Sequence, residues 1–434
     1  MKMKGWIIGG TIFAIAAVSV IPIAVATNAR VRKLQAYLAG KTTLTKKEFE
    51  VLDLDQNKKI NAMDLLLAKK DALFHKNDPF MDVYAPIAAN VKQIGRTYYH
   101  EDTKTLWCSH SGSGIAFTFE GTDCSITLVG DSQHFISNAA ARYAVYLNDQ
   151  QIMDAQVINA ETEITILHAD TIQHAEVRVI KLSEAAQSSF GIKDITVTAK
   201  EGILPAASKA HTIEFIGDSI TCGYGVDDEN INGGFRTMTE NATRTYAYLT
   251  AEALQADYSM VSFSGHGIVS GYTNNSERNK TQLVPKYYDK LGFSYGVLEQ
   301  KKKPQDIPWT FSAAPDLIVV NLGTNDASYT GNDSARQQEY MDGYVAFLKT
   351  IRQKNPDTPI LCTLGIMGDT LCSSMELAVA QYRTETGDNN INSMRFAVQS
   401  AEDGYVVDWH PSAATHAKAA EKLTDFIRSW LGWQ

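Results

Sequence analysis

Four short segments hold the residue types that acyl transfer needs, each beside an apolar run that reads as a buried strand. Gly217-Asp218-Ser219-Ile220-Thr221 follows residues 213–216, Ser264-Gly265-His266-Gly267 follows 259–263, and Gly323-Thr324-Asn325-Asp326 follows 317–322. Asp408-Trp409-His410-Pro411 follows 405–407, just ahead of a last helical pattern. A serine hydroxyl is a weak nucleophile until an imidazole takes its proton, so Ser219 requires His410, and Asp408 would hold that ring in the right tautomer. As a carbonyl carbon becomes tetrahedral its oxygen gains charge and requires fixed donors. The backbone N–H groups of Ser219 and Gly265 and the side-chain amide of Asn325 are the candidates. A second copy of the tripeptide, Gly130-Asp131-Ser132, leads into no parallel sheet and reads as a surface turn.

Four segments so far apart can meet only if a sheet gathers them. From His211 onward strand-like runs at 213–216, 259–263, 317–322, 360–364 and 405–407 alternate with helical patterns at 246–256, 337–353, 374–386 and 414–431. That alternation predicts an α/β fold, a doubly wound parallel sheet over residues 206–434, whose strands release their carboxyl ends into one crevice. Residues 87–205 differ in texture. Short runs such as 115–119, 126–128, 162–168 and 177–182 alternate with period two, with turn signals at Gly121, Asn148-Asp149 and Ser188-Ser189. They predict a β-sandwich, most simply a jelly roll.

The ends of the chain and its composition bound what remains. With 434 residues and 44% of them hydrophobic, the chain predicts two or three domains, and a net charge of -9 excludes a basic nucleic-acid footprint. The five cysteines are scattered, and no C-x-x-C pair occurs. Lys2 and Lys4 precede an uncharged, mostly apolar run over residues 5–26 that ends in Ala24-Val25-Ala26. Residues 1–29 are therefore expected to be a signal peptide or a membrane anchor, with the rest extracytoplasmic, secreted or held at the cell surface.

Residues 30–86 read as helical around a loop with oxygen donors at the spacing of a twelve-residue calcium site: Asp53, Asp55, Asn57, Lys59 through its carbonyl, Asn61 and Asp64. Lys58 stands where such loops carry Gly, and Asp64 is one methylene shorter than the usual Glu. With its Ile60-Asn61 pair and the following Lys69-Lys70, the segment resembles a dockerin, and the resemblance implies a structural calcium and a cohesin partner. A dockerin has two such loops, whereas here only the helix of a first repeat, residues 31–40, precedes this one.

The catalytic set as a whole resembles the SGNH/GDSL hydrolase superfamily from about Ala210 to the C-terminus. A domain opening with Gly95-Arg96-Thr97-Tyr98 and carrying Ser111-Gly112-Ser113-Gly114, joined to G-D-S-I-T, L-G-T-N-D and D-W-H-P, is more narrowly similar to carbohydrate esterase family 2. That resemblance implies removal of O-acetyl groups from plant-wall polysaccharides such as xylan and glucomannan, with no metal or other cofactor in catalysis. The superfamily's usual D-x-x-H would need an acid at Val407, whereas here the spacing is D-x-H. Some members of the narrower family are thought to orient the histidine with a backbone carbonyl instead.

His416 falls inside the last helical pattern and reads as packing, Asp218 as support for the serine turn, and Cys222 as a small buried residue. Trp409 and Tyr224 are candidates for stacking on a sugar ring, and residues 272–315 for shaping the substrate side. Two alternatives stand against the deacetylase: a short-chain lipid or acyl esterase of the same fold, and an inactive carbohydrate-binding protein.

Overall fold

The computed structural model describes residues 29–74 and 79–434. Residues 1–28 of the expected leader lie outside the described residues, and no helix among those described is long and apolar enough to cross a membrane. The chain divides into two compact units, Met1–Asp78 and Pro79–Gln434.

In the first unit, helices α1 (Ala29–Leu38), α2 (Lys46–Leu52) and α3 (Ala62–Phe74) close on Val31, Leu34, Leu52, Ala68 and Ala72. Ile60, at the apolar position of the calcium-like loop, packs against that core. Thr45 and Glu48 cap α2 reciprocally, each side chain accepting the other's backbone N–H. The expected helical segment to residue 86 ends sooner. Strand β1 (Phe80–Tyr84) already pairs antiparallel with a later strand, so residues from Pro79 belong to the second unit.

That unit opens with an antiparallel sheet: β1, β2 (Lys92–Ile94), β3 (Thr97–His100), β4 (Thr105–Cys108), β5 (Gly114–Gly130), β6 (Arg142–Leu147), β7 (Gln150–Gln156), β8 (Glu161–Lys181) and β9 (Phe190–Pro205). The runs expected as separate strands at 115–119 and 126–128 are one strand, as are 162–168 and 177–182. Gly121 is not a turn. The β5–β8 register shifts between Gly121 and Asp123 and again between Cys124 and Ser125, so the long strands bend at bulges while their ladder continues. A Cβ at Gly121 would stand 2.0 Å from the Thr198 carbonyl oxygen, which explains the glycine there. Asn148-Asp149 does form the β6–β7 hairpin, both residues taking positive φ.

The α/β part follows as β10 (His211–Gly217), α4 (Ser219–Cys222), α5 (Tyr246–Ala253), β11 (Ala256–Ser262), β12 (Leu317–Asn321), α6 (Thr324–Thr330), α7 (Ser334–Lys354), β13 (Ile360–Leu364), α8 (Cys372–Thr386), β14 (Ile391–Arg395) and α9 (Ala413–Leu431). The strands are all parallel in the order β11-β10-β12-β13-β14. Alternate residues feed two cores. Ile318 and Val320 pack with Tyr344 and Ile351 of α7 and Met375 of α8, while Leu317 and Val319 pack with Ala251 of α5 and Leu423 of α9. The expected strand at 405–407 is absent. Asp408 and Trp409 have φ of 53° and 62°, outside strand geometry, and residues Val407–Trp409 form a single tight turn. The fifth strand is β14.

The two sheets are sewn together by buried polar contacts. Arg96, of the G-R-T-Y segment, pairs with Glu214 of β10 at 3.0 Å and donates to the carbonyls of Tyr288 and Lys290. The Tyr288, Trp309 and Phe311 rings lie about that guanidinium. Arg142 of β6 bridges Asp154 and Asp227, and Gly112 lies so close to Tyr258 of β11 that a Cβ would come within 2.7 Å of its ring.

Candidate active site

Order decides where the site forms. In β11-β10-β12-β13 the chain leaves β10 for β11 on one side and leaves β12 for β13 on the other, so the two connections part and open a crevice at the carboxyl ends of β10 and β12. Register levels that rim: Gly217 lies opposite both Ser262 and Asn321. The segments that follow each strand therefore start from one height.

After β10, Asp218 caps α4 by accepting the Ile220 N–H at 3.0 Å, which turns the chain sharply and leaves Ser219 as the first helical residue. Asp218 is fully buried, and burial together with the nearby Asp326 charge pushes its carboxyl up to about 7. Gly217 permits the turn, since a Cβ there would strike the Thr221 hydroxyl oxygen at 2.0 Å.

The Ser219 hydroxyl faces His410 Nε2 at 2.9 Å. On the other side of the ring, Nδ1 faces the carbonyl of Val407 at 3.2 Å. A carbonyl only accepts, so it selects the tautomer with the proton on Nδ1 and leaves the Nε2 lone pair for the serine. Burial lowers the imidazole to about 4, against the raising effects of the Val407 carbonyl and the Asp408 charge, so the ring is a neutral base at neutral pH.

Asp408 does not hold the ring. Its exposed carboxylate accepts from the Tyr224 hydroxyl at 2.6 Å, and the left-handed turn at Asp408 and Trp409 is what brings the Val407 carbonyl round to Nδ1. Tyr224, expected on the sugar side, stacks on His410 with ring centroids 4.1 Å apart. Trp409 is 56% exposed beside the cleft.

The remaining candidates line the same cleft of about 560 Å³, which includes Ser219, Gly265, Asn325, Met367 and His410. Gly265 has φ of 75°, and the space where a Cβ would point is open to within 3.4 Å of Gln282, so conformation and not crowding requires the glycine. Asn325 donates through Nδ2 to the His266 carbonyl at 2.9 Å and approaches Asp218 at 3.3 Å. The His266 side chain is buried among Phe263, Tyr287 and Phe293 and does not line the cleft.

Sequence reasoning gave Asp326 no role. Its buried carboxylate accepts the backbone N–H groups of Ile268, Val269 and Ser270 at 2.8–3.1 Å, which fixes the loop that carries Gly265. An acid directly after Asn325, in the first turn of a helix, was the available signal. His416 is buried and accepts the Tyr246 N–H at 3.1 Å, a packing histidine. Within residues 272–315, expected to shape the substrate side, Tyr288 and Trp309 pack about Arg96 and Tyr272 lines the cleft.

The calcium-like loop, taken by itself, brings carboxylate oxygens of Asp53, Asp55 and Asp64 within 4.8 Å of one another. Lys58 adopts φ of 64°, the turn that a glycine would make. Asp64 is buried and accepts the N–H groups of Leu54 and Asn61, each at 2.8 Å, while Asn57 and Asn61 accept from Lys59 and Met63. Three converging carboxylates on a loop of this geometry fit a hard divalent cation.

A serine held by an imidazole at the switch point of a doubly wound sheet, with a glycine and an asparagine on the same rim, defines an SGNH/GDSL hydrolase. Residues 215–426 match the GDSL-like Lipase/Acylhydrolase family, and residues 93–206 match Carbohydrate esterase 2 N-terminal. The chain belongs to carbohydrate esterase family 2. It is 30% identical over 339 residues to the Cellulase/esterase CelE of Acetivibrio thermocellus, covering 75% of this chain and 38% of that protein, so it spans well under half of that relative's length. It is 25% identical over 354 residues to an Acetylxylan esterase / glucomannan deacetylase of Cellvibrio japonicus, covering 79% of this chain and 90% of that one. Among solved structures, a family two carbohydrate esterase from Clostridium thermocellum in complex with cellohexaose superposes with a TM-score of 0.68 at 26% identity, covering 79% of this chain and all of that one.

Proposed function

We propose that the chain is a serine esterase that removes O-acetyl groups from plant cell-wall polysaccharides, acetylxylan or acetylglucomannan, through an acetyl-enzyme. The observation that carries this reading is the 2.9 Å contact between the Ser219 hydroxyl and a neutral His410 whose other nitrogen is committed to a carbonyl. As Ser219 attacks the acetyl carbonyl, Nε2 takes its proton, and the imidazolium then returns that proton to the departing sugar hydroxyl. The Asp408 carboxylate, engaged by the Tyr224 hydroxyl, stabilises the imidazolium by its charge. The oxyanion is received by the Ser219 and Gly265 N–H groups and by Asn325, whose longer contact, to Asp218 at 3.3 Å, is the one it exchanges. Water activated by the same histidine then releases acetate. No step in this sequence calls on a cofactor.

The relatives' names support acetylated xylan and glucomannan as the substrate class. So do two largely exposed aromatic side chains at the cleft: Trp409, 56% exposed with one side against Tyr405, and Tyr272, 61% exposed. The cleft sets Ser219, Ser264, Thr324, Asn325 and Ser328 beside Tyr224, Tyr272, Met367 and Trp409, so the choice between a sugar acetate and another short acyl ester is made by assay. Acetate release from acetylated xylan, glucomannan and chitin oligomers tests the substrate, with 4-nitrophenyl acetate against its long-chain homologue testing the acyl length. Rapid turnover of the long ester would overturn the reading.

In the first unit, a calcium ion would be held by Asp53, Asp55, Asn57, Asn61 and Asp64 with the Lys59 carbonyl, and would brace α2 against α3. Removing calcium with a chelator should lower the unfolding temperature of residues 29–78 without changing turnover. The reading keeps cohesin as a partner to be tested by a binding assay, and residues 1–29 as the leader that carries the enzyme out of the cytoplasm, secreted or anchored.

A further inference from the structure

Between β8 and β9 the antiparallel domain sends the segment Leu182-Ser183-Glu184-Ala185-Ala186 into the interior, where every one of these residues is buried. A buried carboxylate requires partners, and those of the Glu184 Oε2 atom come from the neighbouring domain. Its Oε2 accepts the backbone N–H of Ser264 at 2.7 Å and lies 3.6 Å from Cys222 Sγ, while Oε1 accepts from Gln187 at 3.2 Å. Glu184's own backbone is held as firmly. Its N–H donates to Glu240 at 2.9 Å and its carbonyl accepts from Lys181 Nζ at 2.7 Å, both of those side chains being fully buried.

The two groups that Oε2 touches flank the reacting atoms in the chain. Ser264 immediately precedes Gly265, and Cys222 ends the one-turn helix that Ser219 begins. A charge-assisted bond to the Ser264 N–H fixes the peptide plane one residue ahead of the Gly265 N–H, whose direction decides whether an oxyanion is met. We propose that Glu184 is a positioning residue for the oxyanion loop, so that the antiparallel domain completes the active site and does not merely accompany it. The inference rests on the esterase reading given above.

The test compares Glu184→Met, which matches the volume, removes the carboxylate and leaves only a weak thioether acceptor, with Glu184→Gln, which keeps an oxygen acceptor at the same reach. Rates on 4-nitrophenyl acetate are taken per active site titrated with a phosphonate, so that a misfolded fraction does not count. Glu184→Met should lower kcat on the order of ten- to a hundredfold, somewhat below the loss of a whole oxyanion donor, with KM within about twofold. Glu184→Gln should stay within about threefold of the parent. A methylboronic acid, which forms a tetrahedral anion on the serine, should bind Glu184→Met more weakly by a similar factor. Glu184→Met at the parental kcat and boronate affinity, or Glu184→Gln falling as far as Glu184→Met, would overturn the proposal. A parent chain that releases no acetate would instead sink the esterase reading, and the boronate series would still decide the role of Glu184.

Discussion

The chain folds the same tripeptide twice, and the two turns are locally alike. Asp218 and Asp131 are both buried, and each accepts the backbone N–H two residues on, from Ile220 at 3.0 Å and Gln133 at 2.8 Å. Burial raises both carboxyls, to about 7 and about 6. Both glycines are required by space: a Cβ at Gly217 would strike Thr221, and one at Gly130 would strike His134 at 2.5 Å. The serines differ. Ser219 Oγ faces an imidazole, whereas Ser132 Oγ accepts the Val297 N–H at 2.9 Å and pins the antiparallel domain to the long 272–315 stretch. The tripeptide encodes a turn, and the chemistry comes from what distant strand ends bring to it.

The largest expected effects separate the two turns directly. Ser219→Ala and His410→Ala should each reduce kcat on acetyl ester by several orders of magnitude, as loss of a nucleophile or its base does, while Ser132→Ala should stay within about twofold. Equal losses at the two serines would break the comparison. Next in size is Asn325→Ala, which removes one oxyanion donor and should cost about 10²–10³ in kcat, roughly 2.7–4 kcal/mol, with KM little changed. A loss confined to KM would mean that Asn325 holds substrate and not the transition state.

What the sequence carried and what it hid follow from range. The β12 and β13 strands are buried at every position and announce themselves as apolar runs, and β10 and β11 carry shorter apolar stretches, Phe215-Ile216 and Met260-Val261, near their carboxyl ends. The edge strand β14 does not, since Asn392, Ser393 and Arg395 interrupt it and residues 405–407 offered a more apolar substitute. The site's side chains were legible because each follows such a run. Their backbone and carboxylate supports were not. The Val407 carbonyl acts through a turn at Asp408 and Trp409, two residues with positive φ that no apolar pattern marks. Asp326 acts through N–H groups near residue 268, and Asp131 through the Ser189 N–H, contacts without any period in the sequence.

A smaller effect sharpens the role left to Asp408. Protonated His410 cannot accept the serine proton, so kcat/KM should fall as pH falls through about 4. The Asp408 charge raises that value, so Asp408→Asn should move the acid limb to lower pH while lowering kcat by less than about tenfold. A loss as deep as that of His410→Ala would restore the carboxylate as the orienting group and displace the Val407 carbonyl.

The last contrast concerns stability and returns to the second turn. Asp131 has an ordinary value of 3.8 and a folded value of about 6, raised by burial against the N–H groups of Ser189 and Gln133. A raised carboxyl favours the folded state when protonated, so its contribution is fully present below 3.8 and is lost as pH rises through about 6. The gap corresponds to on the order of 3 kcal/mol. Asp131→Asn cannot titrate. It loses one of the two N–H contacts at every pH, because the amide offers a single acceptor oxygen, and that is a constant penalty. Its unfolding temperature should nevertheless vary less between pH 4 and 6.5 than that of the parent, while turnover per active site at neutral pH stays unchanged. Calorimetry at both pH values reads the slope. Identical slopes would mean that the Asp131 carboxyl stays ionised despite its burial, and a fall in turnover would mean that the second turn is not independent of the first.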